Sequence, residues 1–118
     1  EMQTVALFHK AFTNDPTAIN AETALKMSTE CAAKAIGWRD LGILKENYQA
    51  DFMVLSFDAI HMQPVFHPIS NLVYSAQKSD ITDLFVGWRP LMRKRQLTTL
   101  DEKELVAKAQ YWAAKVKI

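Results

Sequence analysis

The chain has 118 residues, 49% of them hydrophobic and 23% charged, enough for one ordinary domain and too few for two. Lys and Arg number 14 against 13 Asp and Glu, a formal net charge of +1, so no electrostatic bias favours a nucleic acid or an anionic membrane as partner. One cysteine, Cys31, excludes an intrachain disulfide, and no apolar run nears the ~18 to 20 residues of a membrane span; a cytoplasmic location is the expectation.

Helical periodicity begins at once, with Met2, Val5, Phe8 and Phe12 three or four residues apart. No capping residue precedes the run, so position 1 is expected to lie inside a helix of a longer parent chain. Turn formers Thr13-Asn14-Asp15-Pro16 should end that helix. Asn20 suits the cap of a second one, with Ala21, Ala24, Leu25, Ser28, Ala32 and Ala35 on one stripe and Gly37 as its left-handed terminator. The small residues of that stripe permit another element to approach closely.

From Gly42 the character changes. Ile43-Leu44 is a short apolar pair, and Lys45 to Gln49 is a polar turn in which residue 47 is expected at positive φ. Asp51, placed to accept backbone N–H bonds, introduces Phe52 to Phe57, apolar on both faces and expected centrally in a sheet. A loop with Pro64 and Pro68 leads to one or two helical turns over 70–76. Leu84-Phe85-Val86 and Pro90-Leu91-Met92 flank Gly87-Trp88-Arg89 as a hairpin, its second arm an edge or beginning at Pro90. Asp101 should cap a last helix, with Glu104 completing a capping box and Leu100 and Leu105 a hydrophobic staple. Leu105, Ala109, Trp112 and Val116 form its expected buried stripe, and Glu104 with Lys108 a surface pair.

Four stretches together resemble the C-terminal region of amidohydrolase-superfamily enzymes of the methylthioadenosine/S-adenosylhomocysteine deaminase, oxidised-guanine deaminase and triazine chlorohydrolase branch. They are Ala21 to Thr29 with Ala32 to Gly37; Leu41-Gly42-Ile43-Leu44 with Ala50-Asp51 and the strand; Gln63 to Ala76; and Val86-Gly87 through Arg89-Pro90-Leu91-Met92 to Leu97-Thr98-Thr99-Leu100-Asp101. Asn47 stands where the family prefers Gly, and His67 where it more often has Asp. The resemblance implies an α+β chain: residues 1–40 as the last helices of a (β/α)8 hydrolase barrel, 41–98 as strands, loop and hairpins of a composite β-sandwich, and 99–118 as a C-terminal helix. It implies a parent that hydrolyses an amine or halide off a heteroaromatic ring with hydroxide bound to one zinc or iron. The family's ligands are a His-x-His pair, two further histidines and an aspartate. None of these can be carried onto this sequence, so catalytic, cofactor-binding and metal residues are all expected to be none here.

The remaining candidates have ordinary readings. His9, His61 and His67 are the only histidines, and the last two lie in a proline-rich loop without a rigid element to make them converge. Cys31 reads as a buried, inert thiol among alanines, and Asp80 and Asp83 as turn caps flanking a short strand. Arg89, Arg93, Lys94 and Arg95 read as a solvated hairpin arm, with only Trp88 interleaved. The leading function is thus the C-terminal portion of a metal-dependent hydrolase with a structural role, partnered by the remainder of its parent or by self-association. The alternative is a stand-alone interaction module of the same architecture. An upstream coding region with the ligand motifs discriminates the two.

Overall fold

The computed structural model describes residues 1–116. Helix α1 (Met2–Thr13) ends where Asn14 turns left-handed at φ 51°. Helix α2 (Ala21–Ser28) starts where the Asn20 side chain accepts the Thr23 N–H at 2.9 Å, the cap expected of that residue. The second helix is not continuous to Ala35. It breaks at Thr29, with φ −121° and ψ −92°, and resumes as α3 (Glu30–Ala35). Two hydroxyls return to the backbone at the break, Ser28 Oγ to the Ala24 carbonyl and Thr29 Oγ1 to the Leu25 carbonyl. Such back-bonding bends helices. Gly42 occupies the space beside the break, so close that a Cβ there would lie 2.7 Å from the Thr29 oxygen.

Ala6, Ala21, Ala24 and Val73 form the buried helical core, lined by Met2, Ile19, Leu25, Ile69 and Tyr74. Val73 and Ile69 come from α4 (Pro68–Tyr74), about two turns long as expected but starting two residues earlier, with Pro68 in the first turn where its missing N–H costs nothing. The alanines of α1 and α2 let α4 come near, as the small-residue stripe requires. The stripe's C-terminal half differs: Ala32 and Ala35 are exposed, and the break rotates Ala33 inward instead.

The sheet is an antiparallel meander in chain order: β1 (Phe52–Leu55), β2 (Ile81–Val86), β3 (Arg89–Arg93) and β4 (Gln96–Leu97). Phe52 faces Phe85, and their rings stack at 4.6 Å between centroids. The β1–β2 register slips by one residue between Val54 and Leu55. One expectation changes here. β1 is at the edge of this sheet, bonded to β2 alone, which leaves Met53 53% and Val54 43% exposed. Ile43-Leu44 joins no strand, because the 41–50 segment is spent on turns that return the chain from α3 to β1.

The β2–β3 hairpin turns through Gly87 and Trp88, both at positive φ (53° and 67°), the geometry that matches strand twist. Pro90 sits near the start of β3, whose far end pairs with β4 through a second turn, Lys94-Arg95, also at positive φ. That turn and β4 carry no glycine or asparagine to announce them.

Helix α5 (Glu102–Lys115) is capped by Asp101, whose Oδ1 accepts the N–H groups of Lys103 and Glu104. The Glu104 side chain pairs forward with Lys108 at 2.5 Å, in place of the reciprocal capping bond. The stripe expected to be buried is not: α5 has no buried residue, and Trp112 is 60% exposed. No other described element packs on it closely enough to cover it.

Candidate functional site

The polar residues that could carry chemistry are distributed over three places. In α1 the His9 Nδ1–H donates to the Val5 carbonyl at 2.9 Å, an intrahelical bond that fixes the ring. At the start of α4, His67 Nδ1 and Ser70 Oγ share a hydrogen bond at 3.3 Å beside Asn20 and Glu22.

The third place is the most organised. A short 3-10 turn at Ile60–Met62 brings the His61 Nε2–H within 2.8 Å of Asp80 Oδ2, nineteen residues on. Asp80 is 6% exposed and ends a second 3-10 turn, Lys78–Asp80, where it exchanges capping bonds with Gln77. The Gln77 N–H is the largest influence holding the Asp80 carboxyl below its ordinary value, and the His61 bond adds to it. Burial opposes them, and the charges of His61 and Arg95 assist. Arg95 reaches the same turn from the β3–β4 corner, where its guanidinium donates to the carbonyls of Ser79 and Ile81 while its backbone N–H donates to Thr82.

This is a structural clasp: His61 Nε2, Asp80 Oδ2 and Arg95 Nη1 each bond to partners within the chain. Asp80 caps a turn as expected. Asp83 does not flank a strand but lies within β2, opposite Val54, where it receives the Arg93 Nε–H at 2.8 Å and the Lys94 N–H at 3.3 Å. The basic cluster is therefore half committed, Arg93 to a carboxylate and Arg95 to carbonyls. Sequence reading named His61, Asp80 and Arg95 separately; no local motif announces that the meander brings them together.

Cys31 is a further correction. It is exposed, because the break at Thr29 turns α3 so that Ala33 takes the inward position. Among the described residues no group of three His, Cys, Asp or Glu side chains converges as a metal site would require. The three histidines lie on separate elements, each with a ring nitrogen committed to a partner within the chain. The residues present do not fit a divalent metal centre. No helix among them is long and apolar enough to cross a membrane.

Comparison with known proteins places this arrangement. The chain is 41% identical over 118 residues to a 5-methylthioadenosine/S-adenosylhomocysteine deaminase of Syntrophobacter fumaroxidans, covering 99% of this chain and 27% of that protein. It superposes on a zinc-bound adenosine deaminase from Xanthomonas campestris with a TM-score of 0.90 and 34% identity, covering 98% of this chain and 26% of that one. A zinc-complexed atrazine chlorohydrolase from Arthrobacter aurescens shares the fold, with a TM-score of 0.80 at 24% identity over 93% of this chain and 25% of its own. The chain thus spans about a quarter of the length of the relatives it matches. The model of the amidohydrolase family matches residues 1–91, and this α+β chain belongs to that family.

Proposed function

We propose that these residues are the C-terminal portion of a metal-dependent amidohydrolase that deaminates an adenosine-like substrate, and that they serve it structurally. On this reading 1–40 close the barrel wall, 41–98 supply strands of a composite β-sandwich, and 99–118 form the terminal helix. The metal and the reacting groups come from the remaining three quarters of such a protein, and no catalytic step runs through a residue named here.

One observation carries the reading: α1 and β1 present apolar surfaces that a self-sufficient domain would cover. Leu7, Phe8 and Phe12 are 50, 61 and 79% exposed along α1, and β1 is open on its outer edge. Burying a side chain of this size contributes roughly 1.5 to 3 kcal/mol, so a face of this kind calls for a partner surface. The length match supports the same partner, since relatives carry about three further quarters of chain.

The test is ammonia release from 5-methylthioadenosine and S-adenosylhomocysteine. The 118-residue chain alone should be silent with or without added zinc. A polypeptide that also carries the upstream region should release ammonia, and removing 1–118 from it should abolish both activity and its cooperative melt. Zinc-dependent turnover by the isolated chain, scaling with its concentration, would overturn the reading.

A further inference from the structure

We draw no further inference here: the strongest candidate, the exposed apolar stripe of α5 formed by Leu105, Ala109 and Trp112, carries nothing because nothing in the structure shows what covers it.

Discussion

Asp51 Oδ1 accepts the backbone N–H of Gly87 at 2.6 Å, tying the first residue before β1 to the turn of a hairpin 36 residues away. The Trp88 N–H reinforces the tie by donating to the Ala50 carbonyl at 3.3 Å. The carboxylate therefore does more than close its own turn: it fixes where β1 begins against the tip of β2–β3.

Removing that acceptor should have a graded effect. Asp51→Ala leaves the Gly87 N–H to water and should destabilise the chain by about 1 kcal/mol, the net contribution of a typical hydrogen bond, since this one is exposed. Asp51→Asn keeps a carbonyl acceptor and should lose less than half of that. Urea midpoints of the two variants check it, and equal losses would mean the bond contributes little.

Trp88 stands at φ 67° with its side chain 75% exposed. Little packing offsets the left-handed strain of a bulky residue, about 1 kcal/mol or more. Trp88→Asn should raise the melting temperature, because asparagine tolerates this conformation without the chain entropy of glycine. Trp88→Gly should stabilise less. A fall in melting temperature for both would show that the indole is held by something beyond its own turn.

The glycines separate strain from space. Gly87 at φ 53° has nothing within 4 Å of a built Cβ, so Gly87→Ala should cost only the backbone penalty of about 1 kcal/mol. Gly42 at φ 88° has backbone atoms of Thr29 and Glu30 at 2.7 to 3.0 Å from such a Cβ. Gly42→Ala must also push the 41–50 loop off the helix break, and should cost more than about 3 kcal/mol. Denaturant curves that rank the two variants equally would contradict this packing.

Asp80 supplies a pH dependence of known sign. Its carboxyl is held below the ordinary 3.8 in the folded chain, chiefly by the Gln77 N–H, so the unfolded chain binds its proton first as acid is added. The stabilisation is present above pH ~3.8 and is lost as pH falls below it through the folded value. Asp80→Asn should flatten that part of the acid-stability profile relative to wild type. The two profiles, measured by urea unfolding between neutral pH and the acid limb, should converge at the acid end; parallel profiles would remove Asp80 from the acid response.

Sequence periodicity located α1, the Asn20 cap, the β2–β3 hairpin, the Asp101 cap and the positive φ at Asn47, because each depends on neighbours a few residues away. The helix break at Thr29 was not read from the sequence, although Ser28 and Thr29, whose hydroxyls bond back to the Ala24 and Leu25 carbonyls, are a local signal for it; the close approach of Gly42, thirteen residues on, could not be read at all. The His61–Asp80–Arg95 clasp was hidden for the same reason, since three residues of different elements meet only once the meander is built. The buried stripe expected of α5 and the central position expected of β1 failed differently. Hydrophobic patterning reports that a face wants cover; it does not say whether the covering atoms belong to these residues.

The connection from β1 to β2 has a kinetic consequence. β2, β3 and β4 follow one another through two-residue turns, so their pairing needs only local searches. Phe52 must find Phe85 across 33 residues that include α4, which itself docks on α1 and α2. Closing that span is costly in chain entropy until α4 has shortened it by seating in the helical core. The strand with the open edge is therefore the last added, and pulsed hydrogen exchange should protect the amides of β2 and β3 before those of β1. During that interval Phe85 and Leu84 present an unpaired neighbour to any passing strand, which makes the moment before β1 arrives the one at which this chain is most exposed to misassembly.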